Sequence, residues 1–185
     1  MTDLAGRVAL VTGAGRRVGR ALAVALGARG MHVIVHYNSS ASGADETVRL
    51  VTRAGGSGES MRADLGDTTD AERLIDRSVS VRGALDVLVN SAAVMLRTPI
   101  GETSAKDWDA MFALNVRAPY FLSQRAAPAL RASRGSIVNI ADLAAFETWP
   151  AYVPHGITKS AVVQMTRALA RVLAPAVRVN VEKPK

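Results

Sequence analysis

The stretch Arg7–Gly30, RVALVTGAGRRVGRALAVALGARG, constrains the fold more than any other part of the chain. Val8, Ala9, Leu10 and Val11 form an unbroken apolar run, the pattern of a parallel strand buried on both faces. Thr12-Gly13 ends the run, and past Gly19 the residues Ala21, Leu22, Val24, Ala25 and Leu26 recur at helical spacing. Strand, glycine turn and helix follow one another without a spare residue. Such a unit aims the helix's free N–H groups and the positive end of its dipole beyond the strand, where a phosphate is held. The glycines Gly13, Gly15 and Gly19 read G-x-G-x-x-x-G, one residue longer than the usual dinucleotide fingerprint. Glycine turns also join strands to helices for structural reasons alone. Here the turn follows the first strand, and a second strand (His32 to Tyr37) follows the helix, which favours nucleotide binding.

The pattern Thr12-Gly13-x-x-x-Arg17-x-Gly19 resembles the cofactor turn of the short-chain dehydrogenase/reductase family. Arg17, where most members have Gly, resembles the pteridine reductase branch. The second strand ends in His36-Tyr37-Asn38-Ser39-Ser40. A carboxylate there would bond the adenosine ribose of NAD and repel a 2′-phosphate, and none occurs from Met31 to Gly43. Arg17 offers a guanidinium fork and Ser39 and Ser40 offer hydroxyls, a combination suited to the phosphate of NADP. Asn38, Ser39 and Ser40 also read as a turn and helix cap, and the two readings are compatible. The resemblance implies NADP(H) as cofactor, held by Gly13, Arg17, Val18, Gly19, Tyr37, Asn38, Ser39 and Ser40.

Composition narrows the alternatives. A chain of 185 residues with 49% hydrophobic content makes one domain with an ample core. It has no cysteine, so disulfides and thiolate chemistry are excluded, and no H-E-x-x-H or acidic cluster argues for a metal. The start, MTDLAGR, reaches its first strand at once and leaves no room for a signal peptide, and no apolar run approaches a membrane span. This predicts a soluble, cytoplasmic protein. The net charge of +7 would suit nucleic acid, but the basic residues form no run and no aromatic ladder accompanies them. Arg16, Arg17 and Arg20 instead fall where a polyphosphate ligand would sit. An enzyme with an anionic cofactor and a small-molecule substrate is the expectation.

Further along, a polar helix (Ala41 to Arg53) precedes a short strand ending at Ala63-Asp64-Leu65, and Asp67 or Thr68 caps the helix from Thr69 to Arg82. The apolar run Leu85 to Val89 ends in Asn90-Ser91-Ala92-Ala93, where small residues admit a flat ligand. By the resemblance, Asp64 and Leu65 lie at the adenine and Asn90, Ser91 and Ala92 at the nicotinamide ribose; Ser91 is a mild departure. In the helix Ser104 to about Arg131, Pro119 lacks the N–H that would bond the carbonyl of Asn115. A freed acceptor of this kind marks a kink, and in the family the matching Asn holds a relay water.

The family's catalytic constellation is a Ser at a strand end, a Tyr thirteen residues on and a Lys four after the Tyr. The strand Ser136 to Ala141 and the helix Tyr152 to Leu173 carry it here as Asp142, His155 and Lys159. Asp at the first position occurs in the pteridine reductase branch. His155 in place of Tyr is the main departure. Tyr152 cannot stand in, because about 10 Å of helix rise separates it from Lys159. An imidazole can donate a proton, so an Asp–His–Lys site is chemically possible; a degenerate site without turnover is the alternative. Met95 falls where pteridine reductases stack an aromatic ring on the pterin, which weakens the case for that substrate. The strand Ala176 to Val181 resembles the family's sixth, with Pro184 at the start of its Pro-Gly turn, so the resemblance covers only the N-terminal part of the family domain.

The expectation is an α/β three-layer Rossmann fold, a doubly wound parallel sheet of about six strands in the order 3-2-1-4-5-6. The function expected is NADP(H)-dependent reduction of a carbonyl or imine, with a non-catalytic nucleotide-binding protein as the alternative. The resemblance also implies a homodimer or homotetramer through the helices Ser104 to Arg131 and Tyr152 to Leu173. Phe112, Tyr120, Phe121, Val163 and Met165 are candidates for its outer face, and an unpaired Ala176 to Val181 strand adds an edge with Val177, Val179 and Val181 on one side.

Overall fold

A computed structural model describes residues 4–183. Six strands, β1 (Val8–Val11), β2 (His32–Tyr37), β3 (Ser57–Arg62), β4 (Val87–Asn90), β5 (Ser136–Ile140) and β6 (Arg178–Glu182), form one sheet in the order β3-β2-β1-β4-β5-β6. Every pairing is parallel. This is the doubly wound order expected of alternating strands and helices. The helices are α1 (Arg17–Gly27), α2 (Ala41–Arg53), α3 (Thr68–Arg82), α4 (Ala105–Phe112), α5 (Ala118–Ser133) and α6 (Val153–Leu173).

Successive strand residues alternate between two cores. Val8, Leu10, Ile34, Leu88 and Ile137 pack with Leu74 of α3, Leu122 and Leu130 of α5 and Leu173 of α6. Ala9, Val11, Val33, Val35 and Val89 pack with Ala23 of α1 and Ala44 and Val51 of α2. The solid apolar runs therefore reflect a sheet covered on both sides. A buried polar ladder crosses it: Asn90 Nδ2 donates to Asn139 Oδ1 (2.8 Å) and Ser123 Oγ (3.3 Å), and Asn139 Nδ2 donates to Thr166 Oγ1 (2.9 Å). One row of side chains thus links α5, β4, β5 and α6.

Several boundaries differ from the sequence reading for local reasons. β3 ends at Arg62, so Ala63-Asp64-Leu65 lies in the following loop. Asp67 caps α3, accepting from the N–H groups of Thr69 (2.7 Å) and Asp70 (3.0 Å). The long helix expected from Ser104 is interrupted. Ala113–Arg117 is a π-turn between α4 and α5, with the N–H of Ala118 bonded to the carbonyl of Ala113. Pro119, which cannot donate, sits immediately beyond this widened turn, as sharp helix irregularities commonly do.

The apolar surface expected for assembly is largely used internally. Val163 is buried, Phe112, Phe121 and Met165 are half-buried, and of the five only Tyr120 is exposed. Val177, just before β6, and Val179 within it belong to the core while Arg178, Asn180 and Glu182 face solvent. Pro184, assigned to the Pro-Gly turn, lies outside the described residues. Among the described residues no helix is long and apolar enough to cross a membrane.

Leu88 is fully buried in a central strand. Leu88→Ala is expected to cost about 2–5 kcal/mol through lost burial and a residual cavity, read as a lower urea midpoint at unchanged slope.

Candidate active site

The site grows out of the turn between β1 and α1. Gly13 adopts φ +64°, and a Cβ there would stand 2.8 Å from the Cα of Ala92. Only glycine permits that approach. Thr12 fixes it: its Oγ1 donates to the carbonyl of Val89 (3.2 Å) and accepts from the N–H groups of Ser91 (2.9 Å) and Ala92 (3.0 Å). The turn after β1 and the loop after β4 are thereby held as one wall. No side chain caps the N-terminus of α1, where Arg16 is the cap residue, so its first N–H groups have no side-chain partner. Arg17 takes a left-handed conformation, φ +51°, at a cost of about 1–2 kcal/mol for a residue with a Cβ.

A cleft of about 920 Å³ opens along the C-terminal ends of the strands. Its lining runs from Arg16, Arg17, Ser39 and Ser40 at one end to Asp142, His155 and Lys159 at the other. Gly13, Val18, Gly19, Tyr37, Asn38, Asp64, Leu65, Ser91 and Ala92 lie between. Seventeen positions were expected to form the site, and the structure brings all but two of them to this one cleft. Ser40 is the cap residue of α2 but makes no side-chain capping bond.

Asn90 and Asn115 are the two that do not line it. Asn90 belongs to the buried ladder, where its amide joins Ser123 and Asn139. Asn115 donates to the carbonyl of Val94 (2.9 Å) and to Thr158 Oγ1 (3.1 Å) and accepts from the N–H of Val94 (2.9 Å). Its side chain is a clamp from the π-turn to the loop after β4 and to α6. Arg20 also departs from expectation. Its guanidinium donates to the carbonyls of Gly15 (2.5 Å) and Gly43 (3.1 Å) and to Thr47 Oγ1 (3.0 Å), bracing the turn against α2 rather than facing a ligand. Thr47 adds a bond to the carbonyl of Ala14 (2.9 Å).

At the far end, His155 and Lys159 stand one helical turn apart on α6. His155 Nε2 lies 2.8 Å from Asp142 Oδ2, while its Nδ1 is buried without a partner. Asp142 Oδ1 accepts from the N–H of Ala144 (2.9 Å), which holds the carboxylate in place. Lys159 Nζ donates to the carbonyl of Ile140 (2.9 Å). Burial pulls the Lys159 ammonium below its ordinary range, and the Asp142 charge opposes that shift. Tyr152 is the cap residue of α6, its ring packed edge-on to Trp149 at 6.3 Å and away from the cleft lining.

Sequence reasoning passed over His36. It lies buried at the end of β2, where its Nδ1 accepts from the N–H of Gly13 (3.0 Å) and its Nε2 meets the carbonyl of Ala63 (3.1 Å). A histidine among apolar strand residues, directly before the predicted phosphate-binding segment, was the available signal.

A glycine turn at a helix N-terminus, opening on a cleft at the switch point of a doubly wound sheet, defines a nucleotide-binding α/β protein. Residues 7–185 match the family model for short chain dehydrogenase, and the chain belongs to that family. It is 37% identical over 185 residues to an uncharacterized oxidoreductase of Methylorubrum extorquens, covering all of this chain and 74% of that protein. It is 36% identical over 169 residues to the hydroxynaphthalene reductase-like protein Arp2 of Metarhizium guizhouense, covering 91% of this chain and 63% of that protein. Among solved structures, the landomycin C-6 ketoreductase LanV with bound NADP and rabelomycin superposes with a TM-score of 0.91 at 34% identity, covering 97% of this chain and 76% of that one.

Asn115→Ala would remove the partners of the half-buried N–H and carbonyl of Val94 and one of the two partners of the buried Thr158 hydroxyl. The expected cost is about 1–3 kcal/mol for an unsatisfied buried group, with faster amide exchange at Val94 by mass spectrometry as the local readout.

Proposed function

We propose that residues 1–185 form a single NADP(H)-binding domain and that the chain reduces a ketone on a fused-ring compound. The observation that carries the reading is the single cleft joining an arginine- and serine-lined end to the Asp142–His155–Lys159 end. The cofactor fits these residues. The cradle at Gly13 would be filled by any Cβ, and the first turn of α1 has no side-chain cap, as a phosphate site requires.

Arg17, Ser39 and Ser40 would hold the 2′-phosphate, and no carboxylate stands at the end of β2 to repel it. Asp64 and Leu65 would flank the adenine, and Ser91 and Ala92 the nicotinamide ribose. A bound NADPH supplies a hydride to the substrate carbon. Lys159 orients the ribose, Asp142 orients the ring of His155, and His155, directly or through a water, delivers the proton to the developing alkoxide. A relay water would sit at the backbone of Asn115, whose side chain is already committed.

The substrate class draws on three supports. Ala93, Val94, Met95, Ala113, Leu114 and Ile140 give the substrate end an apolar wall suited to a flat ring system. One relative is named for hydroxynaphthalene reduction and one structural neighbour for ketoreduction. A pterin is the narrower option, and it rests on Arg17 and Asp142 alone. We further infer a cytoplasmic protein acting as a homodimer or homotetramer, with Trp108 on α4, Tyr120 on α5 and Val153, Ile157 and Val172 on α6 as exposed apolar positions.

A second reading, nucleotide binding without turnover, is favoured by one observation. His155 is 2% exposed with Nε2 already given to Asp142, so the ring offers less reach than a phenol would.

Fluorescence titration is expected to show tighter binding of NADPH than of NADH. Arg17→Ala is expected to weaken NADPH by about 1.5–3 kcal/mol, the range for hydrogen bonds to a charged group, and to leave NADH nearly unchanged. Equal affinities in the native protein would refute the cofactor assignment.

Catalysis is tested by a pair of variants that differ in one hydroxyl. With a bicyclic ketone such as 1-tetralone, His155→Phe is expected to lose about 100-fold or more of the native NADPH oxidation rate, the usual worth of a general acid. His155→Tyr is expected to match or exceed the native rate. A native rate no higher than that of His155→Phe would establish the second reading.

A further inference from the structure

We propose that His36 is a positioning residue for the dinucleotide phosphates and acts through Gly13. The inference rests on the nucleotide-binding reading of the cleft and assigns a further residue to it. The imidazole occupies the angle between the two segments that would grip the cofactor. On one side Nδ1 accepts from the N–H of Gly13 (3.0 Å), the residue whose left-handed backbone lets the glycine turn close on Ala92. On the other side Nε2 lies 3.1 Å from the carbonyl of Ala63, immediately before Asp64 and Leu65. The main chain repeats the link, since the N–H of Ala14 donates to the carbonyl of His36 (2.9 Å). One side chain therefore ties the phosphate turn to the adenine-binding loop.

The hydrogen-bond directions fix the state of the ring. A backbone N–H can only donate, so Nδ1 carries a lone pair, and the proton sits on Nε2, where the Ala63 carbonyl accepts it. Burial pushes the His36 pKa down to about 4, which keeps this neutral tautomer in place at neutral pH. With its N–H directed at His36, Gly13 cannot turn that group toward a ligand. The turn is thus held with the N–H groups at the start of α1 facing the cleft, and no reorganisation is needed when a phosphate arrives.

Three substitutions separate positioning from bulk packing. Asn places its Oδ1 where Nδ1 stands and keeps the acceptor for Gly13. Gln places its Nε2 where the imidazole Nε2 stands and keeps only the donor to Ala63. Leu keeps neither. In the full chain, NADPH affinity by fluorescence titration is expected to stay within about twofold of native for His36→Asn and to fall about tenfold for His36→Gln and His36→Leu. Circular dichroism and the melting temperature report whether each variant is folded. Amide exchange of Gly13 in the free protein supplies the local readout: slow in the native chain and His36→Asn, fast in the other two.

Gln and Asn variants that bind NADPH equally would overturn the inference. So would loss of Gly13 protection without weaker binding, and either outcome would leave the cofactor reading standing. A native chain that binds neither NADPH nor NADH would overturn that reading and this inference with it.

Discussion

The structure depends on the approach of Gly13 to Ala92. Strands β1 and β4 are neighbours in the sheet, but the chain leaves them in opposite directions, toward α1 and β2 on one side and toward α4 and β5 on the other. A crevice must open beyond such a pair, and its width is set by how closely the two departing segments run. Here they run as close as backbone allows: a Cβ on Gly13 would stand 2.8 Å from Ala92 Cα, and the Thr12 hydroxyl bridges both segments. Of the other site residues, Tyr37 ends β2, Val18 and Gly19 lie in the first turn of α1 and His155 in the first turn of α6, while Asp64 and Leu65 follow β3 in a loop and Lys159 stands one turn beyond His155.

The arginines show how little net charge says about a site. The chain carries +7, yet several guanidinium groups near the cleft hold backbone carbonyls rather than face open space. Arg20 binds Gly15 and Gly43, Arg62 binds Asn38, Arg77 binds Arg62 and Arg117 binds Gly66. Strand ends and tight turns leave carbonyls that no ladder satisfies, and a forked donor serves them well. Arg16 and Arg17, both exposed at the start of α1, are the cations on that helix turn that line the cleft. The same carbonyl-bracing arginines tie down the turn before α1 and the loops after β2 and β3.

The order of the sheet and the position of the cleft were legible because they rest on period, length and turn chemistry. Four-residue apolar runs cannot be half-exposed strands, and alternation with helices leaves parallel crossovers as the only economical winding. What stayed illegible was the direction of individual polar side chains. Asn90 ends its strand, and whether it turns toward a ribose or toward Asn139 depends on a neighbour 49 residues away. Asn115 and Pro119 announced an irregular helix, but periodicity could not distinguish a kink from the π-turn that carries Asn115 inward to Val94. Arg20 sits three residues after Arg17, about one turn of helix, and only the placement of α2 decides that it meets Gly43. Sequence patterns identify faces; partners are settled by tertiary geometry.

Placing histidine where the family has tyrosine changes more than the strength of an acid. A phenol has a single oxygen, which must both be oriented and react. An imidazole divides those duties between two nitrogens. In this chain Nε2 is given to Asp142, whose other oxygen is pinned by the N–H of Ala144, so orientation is already fixed before any ligand arrives. What remains is Nδ1, buried and unpartnered. A neutral ring that donates Nε2–H to the carboxylate has only a lone pair at Nδ1, and a lone pair takes a proton from an alcohol. A charged ring carries a proton at Nδ1 and gives it toward a carbonyl oxygen. Under the proposed reading, the same nitrogen therefore gives the proton in ketone reduction and takes it back in alcohol oxidation. Lys159 is turned to the Ile140 carbonyl, which under the same reading leaves it to the ribose rather than to the acid. Under the same reading, the aspartate that follows β5, rather than the lysine, governs the proton.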